Sequence, residues 1–101
     1  MKKKDNNFLE DLYLTIKKRF EGKNKKSYTK SLVLKGKHTI AQKISEESTE
    51  LIIDYLNGSK KRTIEEASDL IYHLLVLLCS KKITLKEIEK ELSRRKGVRR
   101  Q

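Results

Sequence analysis

Five carboxylates in two short runs, Glu46-Glu47-x-x-Glu50 and Glu66-x-x-Asp69, are the residues best suited to chemistry in this chain. Glu47 and Glu50 stand three residues apart, as do Glu66 and Asp69, so each pair leaves one side of its own helix. Acids are scarce here: 14 Asp and Glu stand against 25 Lys and Arg in 101 residues, yet five of the acids gather at two places. Clustered, buried carboxylates are unstable unless neutralised, and a hard divalent cation such as Mg²⁺ neutralises them through oxygen ligands. The spacing points to metal-dependent phosphate chemistry, with Glu47, Glu50, Glu66 and Asp69 as candidate ligands. Each acid also has a plainer reading. Glu46 can bridge to Lys43 on a solvated face. Thr63-x-x-Glu66 matches a capping box, which would use that carboxylate on backbone amides, unless the helix opens earlier, at Ser59.

The elements that must position these acids are helical. The chain has no proline and only four glycines, which favours long uninterrupted helices over a turn-rich β architecture. Phe8, Leu9, Leu12, Tyr13, Ile16 and Phe20 recur at helical spacing, predicting a helix over about residues 7–21. Ser27-Tyr28-Thr29 caps a short helical turn carrying Leu32, Val33 and Leu34, which Gly36 breaks. A third helix spans about residues 37–56, closed by Asn57-Gly58. Its apolar stripe is Ile40, Ile44, Leu51 and Tyr55, and Glu47 falls in the middle of it. The fourth helix runs from Ser59 or Thr63 to Ser80; apolar residues from Leu70 to Leu78 cover nearly all its sides, which makes it the expected buried centre. Glu66, Asp69 and His73 share its one polar stripe, and the acids of the neighbouring helix offer them no counter-charge. Thr84-Leu85-Lys86-Glu87 reads as a capping box opening a last helix, followed by a basic tail expected to fray after Arg94.

The expected fold is therefore all-α, a four- to five-helix bundle forming one domain over residues 1–101, with basic tails at about 1–6 and 96–101. A mean hydropathy of −0.74 leaves little apolar surface for a lone monomer to bury, and a second copy would help. Cys79 is the one cysteine, so neither an intrachain disulfide nor a cysteine zinc site can form, and its apolar setting makes it a small buried thiol. Met1-Lys2-Lys3-Lys4 begins like a signal peptide, but no apolar segment follows, and Leu74 to Cys79 is too short to span a bilayer. A cytoplasmic protein without membrane contact is expected. The net charge of +11 admits nucleic acid, an acidic membrane surface or a small polyanion as partner, and only the polyanion also accounts for the acids. His73 reads as a neutral, hydrogen-bonded core histidine, and Tyr28 and Tyr72 as packing residues. His38 carries no clear signal.

With these residues in view, the chain resembles the phosphoribosyl-ATP pyrophosphatase family of histidine biosynthesis, within the all-α MazG-like nucleoside-triphosphate pyrophosphohydrolases. The matching segments are Ser27-Tyr28-Thr29 with Leu32 and Gly36, Ile40-Ala41-Gln42-Lys43-Ile44 with Glu46, Glu47 and Glu50, and Glu65-Glu66-Ala67-Ser68-Asp69-Leu70-Ile71-Tyr72-His73-Leu74. The acids alone mark only the superfamily; the Ser-Tyr-Thr segment and the residues around Tyr72-His73 narrow the match. Ser48 and Ser68 stand where alanine is usual, and Lys30-Ser31 is atypical, while the acids are intact. The resemblance implies Mg²⁺-dependent hydrolysis of 1-(5-phosphoribosyl)-ATP to 1-(5-phosphoribosyl)-AMP and pyrophosphate by an intertwined homodimer, with the site at the subunit junction. It also implies a monofunctional form, without the fused cyclohydrolase domain. Glu47, Glu50, Glu66 and Asp69 would hold the metal. Glu46 would complete the shell or orient the attacking water, and Lys43 would meet a phosphate oxygen. Arg19, Lys23, Arg94 and Arg95 are candidates for the substrate's second phosphate. The alternatives are a MazG-like or dUTPase-like housecleaning enzyme and, more remotely, a basic nucleic-acid-binding helical protein.

Overall fold

The computed structural model describes residues 7–24 and 26–98, and the described residues form five helices with no strand. The expected basic tails fall outside them, apart from residues 96–98. α1 spans Phe8–Glu21, and the Asn7 side chain opens it by accepting from the Glu10 amide at 3.1 Å. α2 spans Tyr28–Lys35, two turns where one was expected, and Ser27 caps it by accepting from the Lys30 amide. Gly36 joins α2 directly to α3, Lys37–Asn57; its φ of 99° lies where residues with a Cβ are strained. Gly58 closes α3 so tightly that a Cβ there would sit 2.5 Å from the Asp54 side chain.

α4 spans Lys60–Ser80, and Ser59 caps it by accepting from the Arg62 amide at 3.0 Å. The helix thus opens at Ser59, and Glu66 lies in its interior, where the capping role available from Thr63 does not arise. α5 spans Leu85–Val98. Thr84 and Glu87 form the expected capping box: the Thr84 amide donates to Glu87 Oε1 and the Glu87 amide donates back to Thr84 Oγ1. The chain beyond Arg94, expected to fray, stays helical through Val98.

α3 and α4 form an antiparallel pair; α1 packs on α4 and α2, and α2 packs on α3. The core lies at one end of this arrangement, built from Tyr13, Ile16, Leu32, Ile40, Leu75, Val76, Leu78 and Cys79. Ile16 and Val76 are fully enclosed, and cutting Ile16 back to alanine costs about 2–5 kcal/mol. The Tyr13 hydroxyl donates to the Ile83 carbonyl at 2.6 Å, tying the turn before α5 to α1.

The other end of the α3–α4 pair is an uncovered arm. Ile52, Ile53, Leu56 and Ile64 are all more than half exposed there, and Tyr55, expected on the buried stripe, is 75% exposed. α4 also departs from the buried centre that its sequence suggests, since Ile71 and Leu74 are each 41% exposed. The cause is coverage: α1 and α2 close over one side only. The radius of gyration is 15.5 Å, against about 13 Å for a compact chain of this length.

Candidate active site

The acids sit where α3 and α4 face each other, at the junction of the core and the arm. Helical spacing places Glu47 on the inner stripe of α3, and it is buried; Glu66 and His73 are buried on the facing side of α4. Glu50 and Asp69, one turn on from Glu47 and Glu66, lie at the exposed margin of the same face. Glu50 lies near enough to Glu66 for the two carboxyls to act on each other, which brings the acids of the two helices together at this point.

Burial pushes the Glu66 carboxyl above the ordinary range, and the neighbouring Glu50 and Asp69 push it further in the same direction. Arg62 acts against them. Its Nη2 lies 3.3 Å from Glu66 Oε2 and 3.6 Å from Asp54 Oδ2, with Nη1 3.8 Å from Glu65. Glu66 therefore has a counter-charge from its own helix, a source that the expectation, which weighed only the acids of the neighbouring helix, did not include. The spacing of Arg62 and Glu66, four residues apart, carries that signal once the helix is known to open at Ser59. One guanidinium shared by three acids still leaves Glu66 Oε1 buried and without a hydrogen-bond partner.

Glu47 Oε1 is the second buried oxygen in that state. It lies 2.5 Å from Nδ1 of His73, but the His73 N–H is directed at the Asp69 carbonyl, 2.9 Å away. The other ring nitrogen of His73 is bound by the Tyr28 hydroxyl, and Thr29 Oγ1 meets the Tyr72 hydroxyl beside it at 2.7 Å. His73 is thus the hydrogen-bonded core histidine that was expected. Tyr28 and Tyr72 pack edge-on against its ring.

Glu46 points elsewhere: it is exposed and accepts from Gln42 Nε2 at 3.1 Å, not from Lys43. Lys43 is half-buried one turn before Glu47. Arg94 and Arg95 are both engaged by Glu91 on α5, at 2.6 and 3.0 Å. Arg19 and Lys23 instead line a cavity of about 460 Å³ with Lys18 and the Ser27 cap of α2. Cys79 lies deep in the core, where burial raises its thiol, which does not suit it to act as a nucleophile.

The donor set matches a hard cation in kind, since it consists of carboxylate oxygens from two packed helices. Among the described residues, no three His, Cys, Asp or Glu side chains converge on a metal position as they stand. Two observations nevertheless favour the fit: a buried oxygen on Glu66 without a hydrogen-bond partner, and a carboxyl there that its acidic neighbours disfavour as an anion. A cation answers both. Glu50 and Asp69 are exposed, so their side chains can still turn.

Comparison with known proteins agrees in family along nearly the whole chain. The phosphoribosyl-ATP pyrophosphohydrolase family matches residues 9–96. A phosphoribosyl-ATP pyrophosphatase of Sulfolobus acidocaldarius is 48% identical over 89 residues, covering 88% of this chain and 94% of the relative. That of Saccharolobus solfataricus is 44% identical over 91 residues, 90% of this chain and 97% of the relative. A bacterial relative of the same name, from Listeria welshimeri, is 46% identical over 89 residues, 88% and 85% of the two chains.

Proposed function

The chain belongs to the phosphoribosyl-ATP pyrophosphohydrolase family, and from that premise we propose that it is a Mg²⁺-dependent hydrolase converting 1-(5-phosphoribosyl)-ATP to 1-(5-phosphoribosyl)-AMP and pyrophosphate. This is the second step of histidine biosynthesis, acting on a free nucleotide in the cytoplasm. Among the described residues no helix is long and apolar enough to cross a membrane. The observation that carries the reading is the gathering of Glu47 and Glu66 as buried carboxylates on facing helices, with Glu66 Oε1 left without a hydrogen-bond partner. The helices act together as one catalytic domain.

Glu47, Glu50, Glu66 and Asp69 are the residues that would hold Mg²⁺. Bound there, the cation supplies positive charge against the triphosphate and the leaving pyrophosphate, and acidifies water. The chain's own groups do the remainder. Arg62 keeps the outer oxygen of Glu66 occupied, which leaves the inner one turned toward the site. Lys43 meets a phosphate oxygen as a point charge one turn from Glu47. Glu46, exposed beside Glu47 and held by Gln42, would on release complete the shell or orient the attacking water. Arg19 and Lys23 suit the distal phosphate better than Arg94 and Arg95, because Glu91 already occupies the latter two.

A second copy of the chain covers the apolar arm. Ile52, Ile53, Leu56 and Ile64 are exposed there, and Ile71 and Leu74 further along α4, apolar surface that a soluble enzyme covers when it works as a homodimer. The acid face lies at the root of this arm, so the site adjoins the interface.

The test is a comparison of substrates. With Mg²⁺ present, phosphoribosyl-ATP should be turned over far faster than any member of a panel of canonical and damaged nucleoside triphosphates. Equal or faster turnover of the panel would move the protein to the housecleaning branch.

A further inference from the structure

Behind the acid face lies a polar arrangement that the reaction as described does not use. Two consecutive residues of α2, Tyr28 and Thr29, clasp two consecutive residues of α4, His73 and Tyr72. The tautomer of His73 follows from its partners. A backbone carbonyl only accepts, so Nδ1, 2.9 Å from the Asp69 carbonyl, carries the proton. In the neutral ring Nε2 is then the lone pair, and the Tyr28 hydroxyl donates to it at 2.5 Å. The Nδ1–H has a second claimant in Glu47 Oε1, 2.5 Å from the same nitrogen and otherwise partnerless. A carboxylate draws an N–H more strongly than a neutral carbonyl does. Tyr28 and Tyr72 flank the imidazole edge-on, with ring centroids 5.5 Å from it, and limit the ring to small rotations between the two acceptors.

We propose that His73 is a positioning residue for Glu47. Its Nδ1–H steadies one carboxylate oxygen, and Tyr28 holds the imidazole from behind in the one tautomer that can do so. His73 then links both acid-bearing helices, through the Glu47 side chain on α3 and the Asp69 backbone on α4. The inference rests on the reading of Glu47 as a metal ligand. It gives the Tyr28-Thr29 segment of α2 a task, although that segment bears no acid.

Mn²⁺ binding to the full chain without substrate, followed by electron paramagnetic resonance of the free ion, tests it. His73→Leu removes the donor and should weaken binding by about 10–100-fold. His73→Asn keeps a side-chain N–H near the Nδ1 position and should stay within about threefold of the unaltered chain. Tyr28→Phe removes only the hydrogen bond behind the ring and should lose about fivefold. A purely structural role would lower Tm in these variants while leaving Mn²⁺ affinity unmoved, and that result overturns the proposal. So does a His73→Asn protein that binds as weakly as His73→Leu. Should His73→Leu fail to fold, unchanged affinity in Tyr28→Phe is by itself decisive against the proposal. An unaltered chain that binds no Mn²⁺ and releases no pyrophosphate is a different failure: it removes the functional reading and this inference with it.

Discussion

Glu91 on α5 and Glu66 on α4 are carboxylates of the same basic chain in opposite circumstances. Glu91 is bound by Arg94 at 2.6 Å and Arg95 at 3.0 Å, and those hydrogen bonds bring its carboxyl down to about 2. Glu66 is 7% exposed, shares one arginine with two other acids, and is pushed upward by burial and by Glu50. With 25 basic residues in the chain, cations are not in short supply. The deficit is local to the α3–α4 face. A fold keeps buried acids short of partners mostly where something else binds them, which is why perturbed carboxyls cluster at functional sites.

The largest effect should come from removing one of the acids on that face. Glu47→Gln or Asp69→Asn should cut pyrophosphate release by more than about a hundredfold, exceeding the usual loss for a residue that only supports a ligand. Both variants should fold, since each amide is close in size to the acid it replaces. Activity within a few-fold of the unaltered chain would remove the distinction between the two regions.

Next in size is the apolar arm. Ile53→Asp places a charge on surface that a second copy would bury, at a residue 55% exposed in the single chain. Sedimentation velocity should show a homodimer for the unaltered chain and a monomer for the variant, with activity lost alongside. A fully active monomer would separate catalysis from assembly.

A smaller effect sharpens the contrast through pH. A raised carboxyl favours the protonated folded state, so the Glu66 contribution to stability is fully present below its ordinary value of 4.5. It is lost as pH rises through the higher folded value. In chelator, Tm of the unaltered chain should therefore fall relative to Glu66→Gln as pH climbs toward neutrality, and Mg²⁺ should abolish the fall. Glu91 runs the other way: its contribution is present above 4.5 and is lost as pH drops toward about 2. Parallel Tm curves for the chain and Glu66→Gln would mean that Glu66 is satisfied after all. The smallest effect is on activity: Glu91→Gln should leave turnover unchanged, because its arginines serve α5 alone.

The parts of this molecule legible in its sequence are those governed by local rules. Periodicity placed Glu47 on an otherwise apolar stripe, and the Thr84–Glu87 capping box was readable because both partners lie within one turn. The start of α4 was ambiguous because Ser59 and Thr63 are both good caps; in the fold Ser59 accepts from the Arg62 amide while the Thr63 hydroxyl is spent on the Ser59 and Asp54 carbonyls. Arg62 went unnoticed for the same reason, since its place beside Glu66 depends on that start. The bond from Tyr28 to His73 spans 45 residues, and no periodic pattern encodes it. Tyr55, Ile71 and Leu74 looked like core by residue type, but hydrophobicity does not say whether the covering surface comes from the same chain or from a second one.

The account depends on the α3–α4 acids needing a cation to work. Pyrophosphate release from phosphoribosyl-ATP, measured while free Mg²⁺ is raised from zero in a chelating buffer, tests this most directly. The account predicts no turnover at the start and a saturating rise with Mg²⁺. Turnover in excess chelator equal to that in Mg²⁺ would contradict it.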